Sequence, residues 1–135
     1  MLRIDEAGFN IQRSADQRRL LYMGSLFYDY YQLVEDCLRL VARTIDKWIP
    51  ASLDWHYRLL KLMQQPIPEK RPPLISPETA QLLEEYMVLA INYHEHAPKL
   101  TLKRLEKLAK NLPALQALLE NELTRFARFF MSFLR

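Results

Sequence analysis

From Ala15 onward, apolar residues recur at spacings of three and four. Leu20, Met23, Phe27, Tyr31, Val34, Leu38, Val41, Ile45 and Trp48 fall on one stripe, which predicts an amphipathic helix about thirty residues long that Pro50 stops. Residues 1–13 show little periodicity and read as a frayed lead-in. Gly24 lies inside the stripe at a cost of about 1 kcal/mol relative to alanine, which a close helix approach would explain. Ser52 is placed to cap a second helix, Leu53 to Gln65, with Trp55, Leu59, Leu62 and Met63 inward. Between Pro66 and Pro73 stand four prolines in eight residues, which reads as a stiff extended connector. Ser76-Pro77-Glu78 supplies a cap, a first-turn proline and an acid at the positive helix end. The helix it starts runs to about Glu95, and Pro98 closes it. Thr101 caps a last segment that continues to the C-terminus, with Pro113 predicting a kink or short break. Its stripe is Leu102, Leu105, Leu108, Leu112, Leu115, Leu118 or Leu119, Leu123, Phe126 and Phe130. The economical packing is all-α: one domain over residues 1–135, a four- to five-helix up-and-down bundle.

Composition sharpens this picture in three ways. The chain has 135 residues, half of them apolar, enough for one domain with a real core, and only two glycines, too few for the turns of a β-rich protein. Phe126, Phe129, Phe130, Met131, Phe133 and Leu134 crowd the last ten residues around all sides of the helix. Such a helix either enters its own core or builds a homodimer, and the excess of apolar positions favours the dimer. Cys37 stands alone, so no internal disulfide forms; with no signal-peptide core and no apolar run of about 18 residues, the expected place is the cytoplasm, away from membrane.

The net charge of +3 permits contact with nucleic acid without requiring it. Lys99, Lys103, Arg104, Lys107 and Lys110 set five cations against the single acid Glu106 within twelve residues, with Lys103, Lys107 and Lys110 on one helical face. That ridge suits phosphates, and it equally suits a solvated surface. Tyr28, Tyr30, Tyr31, His56 and Tyr57 could stack bases, although their helical spacing is that of core and interface residues. His94 and His96 flank Glu95, but residues two apart on a helix point about 200° from each other, so no metal site is expected. Cys37, among Val34, Leu38 and Val41, reads as a buried structural thiol. No glycine-rich phosphate loop or nucleophile elbow is present, and no cofactor is expected.

Trp55-His56-Tyr57-Arg58-Leu59-Leu60, followed by Ile67-Pro68, Arg71-Pro72, Ile75-Ser76-Pro77-Glu78-Thr79 and Leu82-Leu83-Glu84-Glu85, resembles HepT-like proteins of the HEPN ribonuclease fold in order and spacing. Ser25-Leu26-Phe27-Tyr28-Asp29 with Val34-Glu35 looks like the long helix of that family, so the resemblance covers roughly residues 20–130. It implies a helical homodimer of toxin–antitoxin type whose catalytic members are metal-independent endoribonucleases. Those members carry an arginine, four residues, a histidine, one residue and a tyrosine at the end of the third helix. The arginine would hold the scissile phosphate, and the histidine would act as acid and base while the RNA 2′-hydroxyl attacks. The implied partner is a nucleotidyltransferase antitoxin that adenylylates the tyrosine. In this chain the matching positions are Ala90, Glu95 and Ala97, and no shift of register supplies an arginine or the tyrosine. The expectation is therefore a non-catalytic, dimeric interaction and RNA-binding module paired with a nucleotidyltransferase. One alternative is an active endoribonuclease with a rebuilt site, using His94 or His96 as acid and base and Asn92, Lys99 or Arg104 at the phosphate. Another is a scaffold that binds the nucleotidyltransferase and no RNA.

Overall fold

The computed structural model describes the backbone of residues 2–96 and 101–133, and side chains for 16–93 and 101–133. Four α-helices make up the chain: α1 (Leu2–Val41), α2 (Trp55–Met63), α3 (Pro77–His96) and α4 (Leu102–Phe133), with a π-helical turn at Ala42–Asp46 closing α1. No β-strand occurs among the described residues; a lone bridge joins Ile67 and Arg71. The predicted all-α bundle is what the chain forms. Asp46, just past the end of α1, closes on Arg71, just before α3, whereas Tyr28, well before the end of α1, stacks on Tyr93 late in α3, so α1 and α3 run antiparallel. Tyr86 reaches the Leu108 carbonyl and Thr79 reaches Glu122, so α3 and α4 are antiparallel as well. α2 packs in the corner between α1 and α3. Tyr31, Leu38, Leu59, Met63, Ile75, Leu83, Tyr86, Met87, Leu105, Leu108 and Leu115 are sealed at the centre, and Gly24 is buried on α1.

The expected lead-in is instead the first part of α1. Adding residues to an existing helix avoids the nucleation penalty, so weak periodicity before Ala15 does not prevent the helix from extending. At its other end α1 stops earlier than its stripe implied. The π turn and Lys47, which is left-handed at φ 57°, rotate the chain away, and Trp48 ends 55% exposed rather than inward. Cys37 is exposed, against the expected buried thiol. The buried line of α1 is Tyr31, Glu35, Leu38 and Ala42. At about 100° per residue, Cys37 sits about 120° from Tyr31 and off that line.

Ser52 does not cap α2. Its hydroxyl donates to Asp54 Oδ1 at 2.6 Å, and the helix begins at Trp55, leaving Leu53 fully exposed. The proline-rich connector is also less extended than its composition suggests. Ile67 and Arg71 pair across a tight turn with Glu69 left-handed at φ 69°, and the Leu74 and Ile75 N–H groups both donate to the Met63 carbonyl. Arg71 clamps this turn. It is 3% exposed and grips Asp46 through Nε (2.6 Å) and Nη2 (2.9 Å), while Nη1 donates to the Gln65 and Pro72 carbonyls. A buried ion pair is tolerated when its remaining donors are met in this way.

Ser76 does cap α3, its Oγ accepting the Thr79 N–H at 3.2 Å, and Glu122 of α4 accepts from both the Ser76 N–H and the Thr79 hydroxyl. Thr101 caps α4 through the Arg104 N–H at 3.3 Å. α4 runs unbroken through Pro113, where a kink or break was expected, and Leu102 is half-exposed rather than inward. Pro113 faces solvent, so water can satisfy the carbonyl that its ring leaves without a helical donor. No helix among the described residues is long and apolar enough to cross a membrane.

Candidate functional site

Three regions carry the chemistry. The first is the C-terminal end of α3. Ala90 is 6% exposed and packed in the core. Asn92 turns its amide back to the Val88 carbonyl at 2.9 Å, one turn earlier on its own helix, so its Nδ2 is already engaged. His94, Glu95 and His96 continue the helix, with side chains outside the described residues; Ala97 and Lys99 lie outside them altogether. Among the described residues no cluster of histidine, cysteine or carboxylate side chains could hold a metal ion.

The second region is the basic face at the start of α4. Lys103, Arg104, Lys107 and Lys110 are all exposed there. Lys107 is tied to Glu85 of α3 at 3.1 Å, which anchors the ridge to the bundle. The side chains of Lys103, Arg104 and Lys110 have no ion-pair partner among the described residues, so their charges remain available to an anionic surface.

The third region was missed in the sequence. Glu35 of α1 is 2% exposed, and its Oε2 accepts from His56 Nδ1 of α2 at 2.6 Å. The imidazole lies against the neighbouring indole of Trp55, with centroids 3.6 Å apart, and the Arg39 guanidinium sits 5.1 Å from the same indole. Successive helical residues diverge by about 100°, so this overlap requires both rings to fold toward one side at the first turn of α2. Tyr31 lies one turn below Glu35; burial first, and then the Glu35 charge, raise its phenol well above the ordinary range. A carboxylate that accepts from Nδ1–H fixes the imidazole's tautomer and leaves Nε2 outward. The signal was present in the sequence: Glu35 stands in the middle of an apolar stripe, and a buried carboxylate requires a partner. Periodicity does not say which residue, twenty-one positions later, supplies it.

Between the connector and α4 lies an apolar recess of about 460 Å³ lined by Pro73, Leu74, Pro77, Phe126 and Phe129, with Arg125 beside them.

The three antiparallel long helices, the corner helix and the clamped connector define an all-α helical bundle with no β-sheet among the described residues. The chain belongs to the family described as HepT-like protein, whose model matches residues 23–130. No curated protein and no solved structure matches it.

Proposed function

We propose that this HepT-like chain is a non-catalytic, dimeric interaction module of toxin–antitoxin type, which binds RNA and pairs with a nucleotidyltransferase in the cytoplasm. The observation that carries this reading is Ala90, a buried methyl group at the position where catalytic relatives are expected to place arginine. An alanine there cannot hold a scissile phosphate or meet the charge of the transition state, a loss worth about 3–4 kcal/mol. Ala97 at the adenylylated tyrosine's position is consistent with this, since an inactive toxin requires no covalent antidote. The exposed cations of α4 support RNA contact through phosphates, which is salt-dependent and blind to sequence. Met131 and Phe133, exposed near the end of α4, support a protein interface.

The test is incubation of the purified chain with total tRNA in EDTA, beside a His94→Ala/His96→Ala variant and a Lys103→Glu/Lys107→Glu/Lys110→Glu variant. The expected result is retention of intact tRNA by the wild type and the histidine variant, weakening steeply as salt rises from about 50 to about 200 mM, with retention lost on charge reversal. Cleavage by the wild type but not by the histidine variant would restore the endoribonuclease reading. Neither cleavage nor binding would leave the scaffold.

A further inference from the structure

We propose that the recess between the connector and α4 binds a small carboxylic acid with an apolar body, and that Arg125 at its rim holds the carboxylate. The site shares no residue with the basic ridge at the start of α4, and its existence does not depend on RNA binding.

The walls of the recess are fixed by contacts that lie outside it. Pro72, Pro73 and Pro77 form the connector side, where proline sets its own φ. Behind them Arg71 closes on Asp46, and the Leu74 and Ile75 N–H groups both donate to the Met63 carbonyl. Glu122 accepts from the Ser76 N–H and the Thr79 hydroxyl, which ties the α4 side to the start of α3. Leu74 and Ile75 are buried, and Phe126 and Phe129 supply aromatic rings opposite the prolines. The space therefore exists before a ligand arrives, as in most small-molecule sites. At about 460 Å³ it is about three times the roughly 150 Å³ cavity that takes up one benzene, which leaves room for a ring system or a medium-length chain.

The polar groups of the lining select the head group. Gln64 spends Nε2 on the Leu60 carbonyl, and both Glu122 oxygens are taken, Oε1 by Ser76 and Oε2 by Thr79. Arg125 is the one cation of the lining. It is exposed, and its guanidinium has no ion pair or hydrogen bond among the described residues. An apolar recess whose unspent charge is positive is complementary to an apolar anion. The guanidinium fork takes two oxygens in parallel, which matches a carboxylate. Glu122 stands three positions before Arg125 in the same lining, so a second negative charge on the ligand is repelled. A carboxylate brings one charge, whereas a phosphate monoester brings nearly two at neutral pH. The carboxylate is the better match.

The full chain would be titrated with octanoate, octanol, octyl phosphate and octylamine. Calorimetry gives the affinity, and nuclear Overhauser contacts from each probe to the Leu74 methyls give the place. Octanoate is expected to bind saturably with contacts to Leu74, and octanol about tenfold more weakly, as for the loss of one charge-assisted pair. Octyl phosphate should bind no more tightly than octanoate, and octylamine more weakly than octanol. Arg125→Gln, at an exposed position, should bring octanoate down to the level of octanol and leave octanol unchanged. Phe129→Ala should weaken both. The proposal is overturned if octanoate makes no saturable contact with Leu74, if octanol or octyl phosphate binds more tightly than octanoate, or if Arg125→Gln titrates like the wild type. It is equally overturned if contacts appear only in Met131→Glu/Phe133→Glu, which would mean that a second copy fills the recess.

Discussion

Tyr86 is sealed at the meeting of α1, α3 and α4, and its hydroxyl donates to the Leu108 carbonyl. Burial first, then the neighbouring Tyr30 and Glu85, push its phenol from 10.0 up to about 12. The neutral phenol is therefore the form the fold favours. Its contribution is complete below the unfolded value, near pH 10, and drains away as pH rises toward 12. The urea midpoint should hold steady from neutrality to about pH 9.5 and then fall. Tyr86→Phe should lose about 1 kcal/mol at pH 7 through the missing hydrogen bond and should show a smaller alkaline decline. A decline of equal size in the variant would assign the alkaline effect to Tyr30 and Tyr31, whose phenols are raised as well. The same residue-scale reasoning explains why Glu35 escaped the sequence pattern. Polar and apolar positions tell which face is buried, whereas the partner that makes a buried charge tolerable comes from another helix.

Local chemistry accounts for most element boundaries, and its failures have identifiable causes. The Ser76 and Thr101 caps are where the sequence puts them, because a cap acts within three residues. Ser52 fails as a cap because Asp54 captures its hydroxyl first. The π turn and the folded connector depend on one another through Asp46 and Arg71, which are twenty-five positions apart and bind in the interior. Pro113 is the reverse case, in which a strong local breaker is overridden. Leu105, Leu108, Leu115, Leu119 and Phe126 bury the face of α4 on both sides of it, and that packing keeps the helix continuous. The helix therefore carries the general cost of an interior proline, which removes one backbone hydrogen bond. Pro113→Ala should stabilise the protein, by up to about 3 kcal/mol if the proline penalty is fully expressed. Its melting temperature should rise, and a fall would mean that the proline contributes a contact of its own.

At the scale of the molecule, the bundle leaves Met131 and Phe133 exposed, Phe133 by 70%, at the end of a helix whose other aromatic residues, Phe126, Phe129 and Phe130, pack against one another. Light scattering should give twice the chain mass in solution, and Met131→Glu/Phe133→Glu should reduce it to a single chain; a monomeric wild type would remove the dimer from the proposed function. The sequence by itself determined the all-α class, most of the inward positions of the helices and the family, because each follows from spacing or from motifs within short stretches of chain. It also aligned Ala90 with the position at which the resemblance implies an arginine. Only the tertiary structure decided that Ala90 is buried, that Cys37 and Trp48 face solvent, and that Arg71 closes on Asp46. It alone brought His56 to Glu35 with Arg39 against the Trp55 indole. Those outcomes depend on which face of one helix meets which face of another, and long-range packing sets that meeting where periodicity along a single helix is silent.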